Sequence, residues 1–576
     1  MGPAQEIRAS DIWPNILLAK PKQLTTTHSL SHSTLPSTPS SSGPPSHRRA
    51  AAMDQQVFLG VSWGDLLTYL KRNSGMDPEL VVYGHNLVLS YVYDYIPDPP
   101  VSPIATLSLS GLPWVPDGVD RISCLPDKVL RNIVSRLPAK EAARTASLAS
   151  RWRPIWRSAP LVLVDSHLLP DGAVRGQLVI GSPSPRAVTA AAHPGPFRCV
   201  HLTRTTMDEH RGEMARWLDI LVAKGVQELF FVNRPWPLDL RLPATLFSCA
   251  SLTRLYLGVW RLPDTTAVPR GARFPNLLEL GLCFNAMEDR DLAFMLERSP
   301  VLEFLLIMGS QSGVRLRLVS QSLRCVQLGL FSFDDLDVVD APSLERLFQY
   351  NTNNNSPTKN RSSRIKIGQA PKLRVLGYLE PGGQELGISN TVIVAGIKES
   401  IVPSVQILAI EVQFGVRNSV KKVPGFLRCF PNLETLHVQS HRISEEPTGK
   451  VNVKFWQEGG SIKCVVESMK KVFLYEFRGS RSEVTFLKLV AERARVLEQM
   501  VVVVSSGSFS PVDDVSAKLK PLTNAKWASK ACKLELFNSP PAEDGMAPFC
   551  RRLANDFSFP DPFNVKEYHE ERISLS

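Results

Sequence analysis

The chain has 576 residues, 43% of them hydrophobic and 21% charged, with a formal net charge of +11 and a pI near 9.2. That length exceeds one ordinary hydrophobic core, so two or more domains are expected, and the composition is that of a soluble globular protein. No run of about 18 uncharged apolar residues occurs, which excludes a transmembrane helix, and nine cysteines without a CxxC pair read as reduced, mostly buried thiols.

Residues 1–52 read as a disordered tail; the stretch 12–50 is rich in Ser, Thr, Pro and His and holds no acid. Residues 53–119 read as an N-terminal extension, with a helix around Trp63 to Leu70 and a Pro-rich linker from Ile96 to Pro116. The start, Met1 to Ser10, lacks the charged-then-apolar order of a signal peptide. The positive charge is spread along the chain. The one dense basic cluster is Arg151, Arg153 and Arg157 around Trp152 and Trp156, so charge alone disfavours nucleic acid as a partner.

A helical unit is expected over 120–163. Leu125-Pro126-Asp127 opens its first helix, with Pro at the first helical position and Asp complementing the positive helix end. Val129, Leu130, Ile133, Val134 and Leu137 follow at helical spacing and predict one continuous apolar face. Pro138 stops that helix. A second helix runs through Ala142, Ala143, Ala146 and Leu148, and Trp152 and Trp156 supply large anchors in a third that Pro154 interrupts. A unit this short carries more apolar surface than it can hide, which points to a partner that completes its core.

Residues 190–460 are repetitive. The template L-x-x-L-x-L occurs at Leu252, Leu255 and Leu257; at Leu277, Leu280 and Leu282; and at Leu302, Leu305 and Ile307. It returns at Leu323, Val326 and Leu328, then at Leu344 and Leu347. Later copies are Leu373, Leu376 and Tyr378; Val405, Leu408 and Ile410; and Leu433, Leu436 and Val438. Pro275, Pro300, Pro342, Pro371, Pro403 and Pro431 stand two places ahead of a copy. Upstream, Phe197, Val200 and Leu202, then Val226, Leu229 and Phe231, fit more loosely. In L-x-L both apolar side chains face one side of a short strand, and a Pro before it ends the preceding segment. Between strands, Leu292, Met295 and Leu296 lie at helical spacing, so each unit reads as one strand and one helix, stacked into a solenoid. The segment Asn351 to Arg364 reads as a solvated insertion.

The order D-R-I-S-x-L-P-D-x-V-L, then I-x-x-x-L-P, A-x-R-T and R-W-R over residues 120–160 resembles the plant F-box. Residues 461–505, SIKCVVESMKKVFLYEFRGSRSEVTFLKLVAERARVLEQMVVVV with its following Ser, resemble the FBD motif of plant proteins that join an F-box to leucine-rich repeats. There Val472 and Leu474 continue the strand pattern, Gly479 permits a tight turn, and Leu487, Val490, Ala491, Ala494 and Leu497 form an amphipathic helix ahead of a buried strand, Val501 to Val504. Residues 506–576 form a C-terminal segment without a reading of its own. The resemblance implies an α/β fold: a short helical F-box, then an irregular leucine-rich-repeat solenoid capped by the FBD region. It also implies a substrate-recognition subunit of an SCF-type cullin–RING ubiquitin ligase, which docks a Skp-type adaptor, and through it cullin, while the repeats hold an unidentified target protein. The adaptor contacts carried across are Leu125, Pro126, Val129, Leu130, Ile133, Leu137, Pro138, Leu148 and Trp152, some of which must instead be internal core. Leu148-Ala149-Ser150-Arg151 departs from the Leu-Ser-Arg-Arg of many relatives.

No catalytic motif stands out, so the chain is expected to be non-catalytic, with no cofactor and no metal. A GxSxG at Gly60 to Gly64 lacks the sheet a nucleophile elbow needs. His28 and His32 sit in the tail; His437 and His441 flank a strand end rather than share a helix face. Asp334-Asp335 and Asp513-Asp514 read as solvated turns, whereas Asp289 and Asp291 read as a helix start. Two alternatives stay open: a repeat protein that senses a small ligand, with Arg254, Arg346 and Arg374 as inner-face candidates that otherwise read as solvated, and a basic nucleic-acid-binding repeat protein. The expected location is cytoplasm, nucleus or both.

Overall fold

The L-x-x-L-x-L copies become the strands of one parallel sheet. The computed structural model describes residues 88–101, 120–168, most of 193–441, most of 460–538, and 554–564. It divides into two units: residues 1–220 with 230–240, and residues 221–229 with 241–576.

In the second unit the strands are β4 (Arg254–Gly258), β5 (Glu279–Cys283), β6 (Phe304–Met308), β8 (Cys325–Gly329), β10 (Arg346–Tyr350), β12 (Val375–Leu379), β15 (Ile407–Val412) and β16 (Thr435–Ser440). Then come β17 (Lys471–Phe477), β18 (Gln499–Val504) and β19 (Lys533–Asn538), all in that order and all parallel. The register aligns one apolar position throughout: Leu255, Leu280, Leu305, Val326, Leu347, Leu376, Leu408, Leu436, Val472, Met500 and Leu534. All but Leu534 are buried. A slip of one residue would turn this row outward, so the pattern specifies the register.

Each Pro lead sits at the second position of a four-residue turn. The Phe274 carbonyl accepts from Leu277 N–H across Pro275-Asn276, Ser299 from Leu302 across Pro300, Ala341 from Leu344 across Pro342, and Ala370 from Leu373 across Pro371. Proline's fixed φ suits that position, and the turn aims the next Leu into the core. A second device runs along the strand entrances, where one carbonyl per repeat accepts two N–H groups from the next. Thr253 serves Leu278 and Glu279, Leu278 serves Glu303 and Phe304, and Glu434 serves Lys470 and Lys471.

The return segments differ from expectation in the middle of the sheet. Asp289–Glu297, Arg417–Arg428 and Arg481–Arg493 are helices, the first with Asp291 accepting from Glu288 N–H at its start, as the acidic residues there predict. Between β6 and β15, however, the returns are strands: β7 (Val314–Val319), β9 (Phe333–Asp340), β11 (Ser363–Gln369), β13 (Gln384–Ile388) and β14 (Thr391–Val392). They form a second sheet in the order β14-β13-β11-β9-β7. Leu302 to Leu323 to Leu344 is a step of 21 residues, too short for a helix at about 1.5 Å per residue, whereas a strand covers the distance at about 3.3 Å. Alternation gives the same answer: Leu316, Leu318, Leu336, Val338, Ile365 and Ile367 are buried. Asp334-Asp335 therefore lies in β9 and not in a solvated turn.

The FBD region adds strands to the same sheet. Gly479 has φ +72°, and Ser480 and Glu483 cap the 481–493 helix reciprocally. That helix ends at Arg493, so Ala494 and Leu497, though buried, belong to the turn into β18. One further strand, β19, pairs beyond the FBD.

In the first unit, three helices, α1 (Asp127–Val134), α2 (Ala139–Thr145) and α3 (Trp152–Ser158), precede β1 (Leu161–Val164), which pairs in parallel with β2 (Phe197–Leu202); of β3 (Glu228–Val232), residues 230–232 belong to this unit. Pro126 and Pro138 cap α1 and α2 from just outside, one place earlier than expected for Pro126. α2 stops at Thr145, short of Leu148. Pro154 does not interrupt α3, because it stands in the first turn, where its missing N–H has no helical acceptor to lose. The Trp63–Leu70 helix, the Gly60–Gly64 motif, His28, His32 and Asp513-Asp514 lie outside the described residues.

Candidate functional site

The helical unit sorts its apolar residues by face. On α1, Leu130 and Val134 stand four apart and are fully buried, while Val129 and Ile133, one place earlier in each turn, are 41% and 38% exposed. The single apolar face of the sequence reading is thus two stripes, one inward and one outward. Trp152 and Ile155 of α3 and Ala142 of α2 close the interior. Of the nine residues carried across as adaptor contacts, Leu130 and Trp152 are core. Leu125, Leu137 and Pro138 are half-buried, and Pro126, Val129, Ile133 and Leu148 are exposed, Leu148 to 67%. Ile122, absent from that set, is 56% exposed and belongs with them. Burying such side chains recovers about 1.5–3 kcal/mol each, so four left open in so small a unit are a sizeable unburied apolar surface.

Two polar residues set the geometry of this face, and apolar periodicity does not show them. Arg151 donates from Nε and Nη2 to Asp127 Oδ1 at 3.1 and 2.7 Å and from Nη2 to the Leu125 carbonyl at 2.7 Å; it also bonds the Ser123 carbonyl. It ties the entrance of α1 to that of α3. Both charges are about half exposed, so the ion pair contributes at most about 1 kcal/mol and acts mainly through orientation. Asp120 accepts from Ser123 N–H at 2.8 Å, and its bonds to Ser123 hold its carboxyl below the usual range. That turn fixes Ile122 ahead of the helix.

In the repeat unit the x positions of the template carry the second surface. Arg254 is half-buried between Glu228 and Glu279, at 3.1 and 2.9 Å. Arg374 is exposed. Arg346, read from sequence as solvated, is buried: it donates to the carbonyls of Ala554, Asp556 and Phe559, with no carboxylate among these partners. Burial pushes its pKa down from the ordinary arginine value. His437, on β16, lies 3.0 Å from Asp561 through Nε2 and 2.9 Å from the Tyr475 hydroxyl through Nδ1, while that hydroxyl donates to the Phe563 carbonyl. Burial favours protonation of Asp561, but His437, the Phe563 N–H and Lys471 outweigh it and keep the carboxyl below its usual range. His441, past the strand end, pairs with Glu411 at 2.9 Å. The chain segment 554–564 thus covers the outward face of β8, β10, β12, β16 and β17. The sequence signal was weak: a run of Phe, Pro and Asp, Asp556 to Phe563, without periodicity.

The described cysteines are mostly buried, as expected. Among the described residues Cys199, Cys249, Cys283, Cys325, Cys429 and Cys464 are buried and in no disulfide, and burial pushes the Cys283 and Cys464 thiols up to about 12. Thiols held that high are poor nucleophiles. Among the described residues no helix is long and apolar enough to cross a membrane.

Comparison with known proteins matches the F-box domain over residues 122–163, the leucine-rich repeats of "FBD-associated F-box protein At5g56370" over 214–438, and the FBD over 457–502. Among relatives from Arabidopsis thaliana, FBD-associated F-box protein At4g10400 is 25% identical over 444 residues, 72% of this chain and 99% of its own length. FBD-associated F-box protein At4g13985 is 29% identical over 252 residues, 40% of this chain and 52% of its own. F-box/FBD/LRR-repeat protein At1g13570 is 32% identical over 140 residues, 24% of this chain and 32% of its own. The chain thus spans about half of one of these relatives, a third of another and nearly all of a third.

Proposed function

Since the chain belongs to the F-box/FBD/LRR-repeat proteins, we propose that it is the substrate-recognition subunit of an SCF-type cullin–RING ubiquitin ligase. Its helical unit docks a Skp-type adaptor, which links it to cullin, and its repeats hold a target protein. The observation that supports this most is four exposed apolar side chains, Ile122, Val129, Ile133 and Leu148, on a unit whose interior is already filled by Leu130, Val134 and Trp152. The chain supplies no chemistry in this reading; it raises the effective concentration of the target near the ubiquitin carrier. A cytoplasmic or nuclear location is part of the proposal, supported by buried cysteines that are in no disulfide among the described residues.

Co-purification tests it. Full-length chain is expressed with a Skp-type adaptor and cullin, and wild type is expected to recover both. Ile133→Glu with Leu148→Glu, which alters exposed positions and leaves the fold intact, is expected to recover neither. Recovery by the double variant, or none by wild type, would remove the adaptor reading.

A further inference from the structure

Residues 554–564 are held in the way proteins hold peptides. The Arg346 guanidinium gathers three backbone carbonyls of the segment, and Cys325 Sγ lies 3.3 Å from one of them. Phe557 lies under the guanidinium groups of Arg324 and Arg346, 3.8 and 4.5 Å from its ring centre. Phe563 is buried in a slot walled by Phe348, Tyr378 and His437, with ring centres 5.2–5.5 Å away. Gly377 forms the floor of that slot: a Cβ there would fall inside the Phe563 ring. Between the two aromatic anchors, Asp561 reaches His437, and the Asp561-Pro562-Phe563 corner is closed by Phe563 N–H on Asp561 Oδ1 at 3.1 Å.

These are side-chain pockets for alternating anchors, with no added strand: the segment pairs with no strand of the sheet. The donors and the slot belong to the body and the carbonyls, carboxylate and rings to the segment. Fifteen residues, 539–553, separate it from β19 in the chain, a contour length of up to about 50 Å.

We propose that the outward face of β8, β10, β12, β16 and β17 is the target-binding surface, and that the chain's own residues 554–564 occupy it as a displaceable stand-in. This rests on the reading of the repeats as the target-holding part. The target segment it fits is acidic and proline-broken, with two aromatic anchors six residues apart and a carboxylate two residues before the second, as in Phe557, Asp561 and Phe563. The intact chain therefore restrains its own target binding, because a tethered occupant competes at an effective concentration near the millimolar range.

The test uses a fluorescent peptide of residues 553–564 and three full-length proteins: wild type, Asp561→Asn/Phe563→Ala, and that double variant with Gly377→Ala added. The double variant loosens the tether but leaves the face intact. It is expected to bind the peptide at least tenfold more tightly than wild type. Adding Gly377→Ala, which fills the Phe563 slot, is expected to return binding to the wild-type level or below. Equal binding by wild type and double variant would overturn the proposal, as would binding that ignores Gly377→Ala. Loss of folding in the double variant, read by circular dichroism and melting, would make the segment part of the core and equally overturn it. Adaptor binding is measured on the same proteins and is expected to be unchanged, so failure of the ligase reading would appear separately, as wild type that does not bind adaptor.

Discussion

The two units treat the same kind of residue in opposite ways. In the helical unit, outward apolar side chains such as Leu148 and Ile122 are left open; in the repeat unit, outward aromatic side chains such as Phe348, Tyr378 and Phe473 are buried. The repeat body is finished on that face by its own C-terminal segment. The helical unit has no such cover among the described residues. An apolar pattern in sequence therefore does not say whether a side chain is buried or by what, and the covered or open state of each face has to be seen in the structure.

The comparison breaks most visibly in paired truncations. Leu305→Ala, in the fully buried row of the sheet, is expected to cost about 2–5 kcal/mol, whereas Leu148→Ala is expected to stay within about 0.5 kcal/mol in denaturant unfolding. A large loss from Leu148→Ala would mean that the open stripe is packed after all. A smaller effect comes from Gly309→Ala. Gly309 has φ +61°, and a Cβ there would enter the Phe284 ring, so about 1–3 kcal/mol is expected, read as a lower melting temperature of the repeat body.

The pH dependence sharpens the contrast further, because the repeat unit carries titrating groups. Burial alone would lower the His441 pKa, but Glu411 and Glu380 outweigh it against Arg478, and the folded value is raised above the ordinary 6.5. Its contribution is full below about pH 6.5 and is lost as pH rises through the raised value. His441→Gln is expected to flatten the melting-temperature profile above that point. Asp561 works in the opposite sense. Its lowered pKa stabilises the covered face above the ordinary carboxylate value near 3.9, and the gain is lost as pH falls through the folded value, so Asp561→Asn is expected to remove acid sensitivity of the segment, followed by hydrogen exchange at 554–564. A small effect is that of Arg151→Ala, at most about 1 kcal/mol in stability, with a measurable loss of adaptor affinity if the face is docked as proposed.

How much of this was legible follows from periodicity. The row from Leu255 to Leu436 was readable because L-x-L repeats on a two-residue period, and each copy restates the same instruction. Helical spacing between Leu292 and Leu296 does not extend to the middle returns, where the 21-residue steps from Leu302 to Leu344 leave a helix too little length and the apolar residues alternate instead. On α1, Val129 and Leu130 are neighbours in sequence and both apolar, so their opposite faces emerge only when Trp152 and Ile155 arrive from α3. Arg346 was read as solvated since nothing in its own repeat covers it; its cover comes from residues 208–213 positions away in the chain. Contacts at that separation leave no local pattern.

Titration of purified Skp-type adaptor into full-length chain tests the central claim most directly, with Ile133→Glu as the surface variant and Trp152→Ala as the core variant. The account predicts tight wild-type binding. It also predicts a loss of more than about tenfold, or about 1.4 kcal/mol, in Ile133→Glu at unchanged melting temperature, and a loss in Trp152→Ala that comes with a lowered one. Wild-type affinity retained by a folded Ile133→Glu chain would contradict it.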